Sequence, residues 1–146
     1  MEYTISGKEQ LEDLWTNIYN NEGKPDWSHI LPYYEENIYF RDAVQEIHGK
    51  QEFMAMTERL IRRSGSLEMD VINTAQNGKV IFLEWIMKLS FNKYPKSSVY
   101  GASRVTLNDE GKIIEQRDFY DLWGDIFDNI PRFGPAYRKF MHKKFG

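Results

Sequence analysis

Apolar residues recur at two different periods along this chain of 146 residues, and the change of period divides it. In the first third the spacing is helical. Leu11, Leu14, Trp15, Ile18 and Tyr19 stand at i, i+3, i+4, i+7 and i+8, one stripe of an α-helix. Ser6 with Glu9 three residues on forms a capping box that predicts the start of this helix, and residues 20–26, "NNEGKPD", predict its end. Asp26 is placed to cap a second helix carrying Trp27, Ile30, Leu31 and Tyr34 on one side, with Pro32 awkward inside it. Residues 37–43 read as a short strand, and residues 48–63 as a third helix with Phe53, Met56 and Leu60 in register.

From Leu67 onward the period drops to two. "LEMDVINT" and "KVIFLEWIMKLSF" flank Asn77-Gly78, a strong hairpin signal. "NKYPKS" reads as a longer turn, and "SVYGASRVTL" and "KIIEQRDFY" flank a second hairpin turn, "NDEG". A last helix follows "PRFGPAY". Helices segregated to one side of a sheet define an α+β class. The expected architecture is a cone-shaped curved antiparallel sheet wrapped over three N-terminal helices, with a C-terminal helix, and residues 1–146 forming a single domain.

Alternation also assigns faces. In Val80–Phe91, Ile81, Leu83, Trp85, Met87, Leu89 and Phe91 form a wholly apolar side, while Glu84, Lys88 and Ser90 share the other with Val80, Phe82 and Ile86. Periodicity alone sends the first side to the core. In "EQRDFYDLWGDIFDN", Ile114, Gln116, Asp118 and Tyr120 fall on one side, and Glu115, Arg117, Phe119 and Asp121 on the other. Asp121 suits a turn or helix cap, and Asp125 and Asp128 are expected to be mostly exposed. Asp118 stands apart, because a carboxylate among aromatics has its proton affinity set by burial and by its partners.

Composition narrows the chemistry. A formal net charge of −3 leaves no basic footprint for nucleic acid. The basic run "RKFMHKK" near the end reads as the solvated face of the terminal helix. There are no cysteines, so disulfides and thiolate metal sites are excluded. "VIFLEWIM", the longest apolar run, contains Glu84 and is far short of the ~20 residues that span a bilayer. The N-terminus has no signal-peptide pattern, so a cytoplasmic location is expected. No phosphate loop, nucleophile elbow or zinc motif occurs, and the three histidines are scattered, so no metal and no cofactor are expected. An aromatic share of 15% suits a small-molecule pocket.

"IHGKQEF", "NDEGKIIEQRDFYD" and the first helix leading into "DWSHILPYYEENIYFRD" together resemble the SnoaL-like, nuclear-transport-factor-2-like superfamily, over nearly the whole chain. That superfamily includes steroid Δ-isomerases, limonene-epoxide hydrolases, polyketide cyclases and scytalone dehydratases, and many members that bind ligands without chemistry. The resemblance implies a deep cup. Set against the epoxide hydrolases, whose activity rests on an aspartate–arginine–aspartate cluster with a tyrosine and an asparagine holding the water, Tyr39 falls on the tyrosine and Asp118 on one aspartate. Arg41 replaces the asparagine, Glu84 falls on the arginine and Ile86 on the other aspartate. Set against the steroid isomerases, Asp42 falls on the general base, Trp15 on the oxyanion tyrosine and Ser103 on the oxyanion aspartate.

The resemblance therefore implies Asp118, Tyr39 and Arg41 as the catalytic group, with Arg41 paired to Asp118, and Asp42 as the alternative base. Trp15, Phe82, Glu84, Tyr100, Ser103 and Tyr120 are the implied pocket residues. It also turns the Glu84 side of its strand inward, which leaves the Trp85 side outside and in need of a homodimer partner. The expected function is cofactor-independent acid–base chemistry of hydrolase, isomerase, dehydratase or cyclase type on a small apolar organic molecule. The alternative is a non-catalytic ligand-binding or dimerisation module of the same fold.

Overall fold

The computed structural model describes residues 2–19, 24–91 and 96–146. Helix α1 (Lys8–Tyr19) buries the expected stripe of Leu11, Trp15 and Ile18. Its entry is fastened by Gln10 rather than Glu9: the Ser6 N–H and Oγ–H donate to Gln10 Oε1 at 2.7 and 2.9 Å. The second expected helix does not form. Asp26 Oδ1 accepts the Ser28 N–H at 2.8 Å, an Asx turn, and only a 3₁₀ turn, Leu31–Tyr33, follows. Tyr34 belongs to the next strand. Helix α2 (Lys50–Arg63) buries Phe53 and Thr57.

Six strands form one sheet: β1 (Tyr34–Arg41), β2 (Glu46–His48), β3 (Ser64–Asn77), β4 (Val80–Phe91), β5 (Ser97–Leu107) and β6 (Ile113–Tyr120). Their order is β2-β1-β6-β5-β4-β3. The sheet is mixed rather than antiparallel, because β1 runs parallel to β6. Local turns make the antiparallel pairs, whereas β1 joins β6 across the chain, and periodicity carries no record of such a pairing. The β3–β4 hairpin closes through Gly78, whose φ of 62° suits glycine. The "NKYPKS" turn lies largely outside the described residues. Helix α1 packs on β3 and α2 on β1, so among the described residues two N-terminal α-helices, with a 3₁₀ turn between them, take the place of the three expected. Helix α3 (Phe133–Phe145) closes the chain and leaves Phe140 and Phe145 exposed. No described helix is long and apolar enough to cross a membrane.

The core decides the β4 faces. Ile81, Leu83 and Leu89 are buried and Trp85 is 4% exposed, whereas Phe82 is 43% exposed and Glu84 lies in solvent. Simple periodicity holds here, and the inward Glu84 implied by the resemblance is overturned. A homodimer resting on an exposed Trp85 face loses its basis, since burying that apolar row inside the protomer already removes it from water.

Strand β6 slips once. Leu107 pairs with Ile113 and Thr106 with Glu115, so Ile114 is an extra residue, a β-bulge. Ile113 is fully buried and Ile114 is 36% exposed. Ile114 therefore leaves the side that sequence alternation gave it, while Gln116, Asp118 and Tyr120 keep theirs.

Candidate functional site

A cavity of about 640 Å³ lies between the inner face of the sheet, α1, α2 and the segment after β6. Its wall is mainly apolar and aromatic, with Trp15, Tyr19, Trp27, Phe40 and Trp85 among the lining residues. One pole is polar. Beyond the bulge, β6 turns Gln116, Asp118 and Tyr120 inward, and the register sets Ser103 of β5 beside Asp118.

Neutral donors converge on one oxygen of Asp118. Ser103 Oγ–H donates to Oδ1 at 2.7 Å and Gln116 Nε2–H at 3.1 Å. Each donor is held in turn. Trp85 Nε1–H donates to Ser103 Oγ at 2.9 Å, and the Tyr34 hydroxyl donates to Gln116 Oε1 at 2.5 Å, which directs the amide nitrogen at Asp118. Trp85 can lie across β5 because its register neighbour is Gly101: a Cβ there would stand 2.7 Å from Trp85 Cζ2. No described donor meets Oδ2. Asp118 itself lines the cavity.

The electrostatics follow from this arrangement. Burial pushes the Asp118 carboxyl up to about 6, opposed by the hydrogen bonds from Ser103 and Gln116 and assisted by the nearby charge of Asp42. No cation faces it among its described partners. The phenols of Tyr19 and Tyr34 are pushed up by burial and then by Asp118, and that of Tyr120 by burial, Asp42 and Asp118. All three stay neutral hydroxyls at ordinary pH.

Asp42 is the second carboxyl of the cavity. It follows β1, where its Oδ1 accepts the Val44 and Gln45 N–H groups at 2.8 and 2.9 Å. Its Oδ2 accepts the Tyr120 hydroxyl at 3.3 Å. Two carboxyls and a phenol bonded to Asp42 thus share one pole. A carboxyl protonating near neutrality, with one oxygen fixed and the other free, can take up or release a proton at Oδ2.

The expected site residues divide sharply. Asp118, Asp42, Trp15 and Tyr120 line the cavity, and Ser103 lies buried behind Asp118. Trp15 does not offer its N–H there, since Nε1–H points to Met69 Sδ at 3.2 Å. Tyr39 and Arg41 lie outside, because Phe40, 2% exposed, takes the inward position on β1. The Tyr39 hydroxyl donates to Glu46 Oε1 at 2.9 Å, and Arg41 is exposed beside Arg117. The expected Arg41–Asp118 pair is not formed. Phe82, Glu84 and Tyr100 are all on the outer face, where Glu84 accepts from Asn73 Nδ2 at 2.9 Å.

The other acids of the stretch around Asp118 serve the fold. Glu115 pairs with Arg104. Asp121 accepts the Gly124 N–H at 2.8 Å and caps a π-helical turn, Leu122–Ile126. Asp125 and Asp128 are half-buried rather than mostly exposed, since Asp125 accepts the Tyr100 N–H at 3.1 Å and Asp128 pairs with Arg138 at 2.7 Å. Among the described residues no group of three or more His, Cys, Asp or Glu is placed to hold a metal ion. Sequence reasoning missed Gln116, Trp85 and Tyr34. Gln116 shares a strand side with Asp118, which was the available signal, but Tyr34 was hidden in a helical stripe.

The fold and cavity define a class: an α+β cone of the nuclear-transport-factor-2-like type, with an acidic pole inside an aromatic cup. The chain belongs to the SnoaL-like domain family, whose model matches residues 13–116. No curated protein matches it. Among solved structures it is similar to a hypothetical protein with a ketosteroid isomerase-like fold from Catenulispora acidiphila, in complex with trimethylamine (TM-score 0.71, 11% identity, 84% of this chain and 93% of that one). It is also similar to a limonene-epoxide-hydrolase-like epoxide hydrolase from M. tuberculosis (TM-score 0.66, 17% identity, 89% and 93%). A third is an NTF2-like protein of unknown function from Exiguobacterium (TM-score 0.59, 15% identity, 65% and 82%). At these identities the likeness defines the fold.

Proposed function

We propose that the protein catalyses proton-transfer chemistry on a small, mostly apolar organic molecule held in the cavity, without a cofactor. The reaction is of the hydrolase, isomerase, dehydratase or cyclase type. Asp118 is the base: Oδ2, ionised above about pH 6, removes a proton from a water or from an acidic C–H of the substrate. The observation that carries the reading is a cavity-lining carboxyl with both of its described donors on Oδ1 and none on Oδ2. The Asp42–Tyr120 pair supplies the second polar contact, from a hydroxyl that burial keeps protonated. The test is a panel of epoxides, β,γ-unsaturated ketones and hydroxy ketones, followed by NMR with wild type and Asp118→Asn. Turnover by wild type and none by the variant is the expected result. Turnover by both would remove Asp118 from the chemistry.

A second reading, a non-catalytic ligand-binding module, is favoured by one observation. No described guanidinium bonds Asp118, so the Arg41–Asp118 pair implied by the hydrolase resemblance is not assembled. Wild type and Asp118→Asn binding a ligand equally, with no conversion by either, would favour it.

The homodimer moves to the other side of the sheet as part of this proposal. Ile72, Phe82, Tyr100 and Phe119 are exposed there, and a stable interface buries upward of about 1,000 Å². Light scattering decides it, with Tyr100→Glu expected to give monomers. A wild-type monomer at micromolar concentration would end the idea.

A further inference from the structure

We propose that the cavity takes a molecule with an anionic oxygen head, a carboxylate or a phosphate, seated at Arg62 and Arg63, with an apolar body reaching inward toward Asp118. This rests on reading the cavity as a ligand site and names the class of ligand.

Among the described residues four charged side chains line the cavity: Asp42, Asp118, Arg62 and Arg63. They are segregated by sign. Arg62 and Arg63 end α2 and lead into Ser64, which pairs with Phe91 near the end of the sheet where Leu89 faces Ser97. Asp118 faces Ser103, six residues farther along β5 than Ser97. At about 3.3 Å per residue this is about 20 Å of strand. The lining between the poles includes Leu67, Met87, Leu89 and Val99. The cavity is thus cationic at the end of α2 and acidic toward β6, where Asp42 joins Asp118 through its bond to Tyr120, with apolar lining between.

Both guanidiniums are exposed, and neither forms an ion pair or hydrogen bond with a described residue. Arginine in the last turn of a helix suits the helix dipole, but that role needs only solvent, and both of these side chains border the cavity. A guanidinium fork matches the oxygens of a carboxylate or phosphate. The acidic pole repels such a head, so charge alone fixes the ligand's direction: head at the arginines, apolar body toward Asp118.

The test compares dodecanoate, dodecyl phosphate and dodecanol, below their micelle concentrations and at a pH where the acids are ionised. Calorimetry gives affinity, and the fluorescence of Trp15, Trp27 and Trp85 reports on the cavity they line. At least one anion should bind about tenfold tighter than the alcohol, and which one does so separates carboxylate from phosphate. Arg62→Gln with Arg63→Gln should abolish the difference, the anions falling to the affinity of dodecanol, while Arg62→Lys with Arg63→Lys should keep a preference. If wild type binds all three equally, or the glutamine variant keeps the preference, the anionic head is refuted and the cavity survives as a ligand site. If none of the three binds, the ligand-site reading falls and this inference with it.

Discussion

The two faces of β5 and β6 carry the same residue types to opposite ends. On the outer face Glu115 meets Arg104, half-exposed on both sides, and Arg117 stacks on Phe119 at 4.9 Å. One strand position beyond Arg117, on the inner face, Asp118 meets a serine hydroxyl and an amide instead of a cation. A surface ion pair of this kind contributes little to stability. A carboxyl inside an aromatic cavity, held by neutral donors on one oxygen, is left poised between its two protonation states. What separates a structural acid from a reactive one here is the partner, not the residue.

The comparison can be broken most decisively at Asp118. Asp118→Asn should lower turnover by about 100-fold or more, while Glu115→Gln should leave it unchanged, both read on whichever substrate the panel yields. Stability should move the other way. The Asp118 pKa rises from 3.8 unfolded to about 6 folded, so between those values the folded protein holds a proton that the unfolded chain has released. The contribution of Asp118 to stability is therefore greatest below about pH 4, falls as pH rises to about 6, and is level above it. Asp118→Asn removes this fall, and at neutral pH it should be more stable than wild type by about 1–3 kcal/mol in urea titrations. A variant that is less stable at neutral pH would show that the carboxylate is a structural partner.

Next in size is the support beneath the site. Gly101→Ala places a methyl into the Trp85 indole and should cost about 1–3 kcal/mol, visible as a lowered Tm. Ser103→Ala is gentler and sharper. It removes a donor that favours the ionised carboxyl, so the Asp118 pKa should rise by about one unit. Carboxyl-carbon NMR of Asp118, or the rising limb of a pH–rate profile with its midpoint near 6, would show the displacement. The smallest effect belongs to the outer face: Glu115→Gln should change stability by less than about 1 kcal/mol in denaturant titrations, and a larger loss would mean that the outer pair is not solvent-screened.

Much of this arrangement was legible in the chain. The α1 stripe, the Asn77-Gly78 turn, four long strands and the split faces of β4 all follow from spacing, because each is a local consequence of a 3.6 or 2.0 period. Asp118 stood out for the same reason, sharing a strand side with Gln116 and Tyr120. Tyr39 and Arg41 were assigned inward by resemblance, and the structure gives that position to Phe40, the residue between them. Glu84 failed alike: the resemblance turned it inward against its own alternation, and burial of Ile81, Leu83 and Trp85 left it outside.

What the sequence determined by itself was the inventory and the local geometry: which residues alternate, where the chain turns, and that no thiolate chemistry is available. Tertiary structure decided the rest. The parallel pairing of β1 with β6, the bulge at Ile114 and the relay from Trp85 through Ser103 to Asp118 join residues far apart in the chain. The proton affinity of Asp118 is set by those neighbours and by the surrounding protein that excludes water, and neither is recorded in the spacing of residues along one strand.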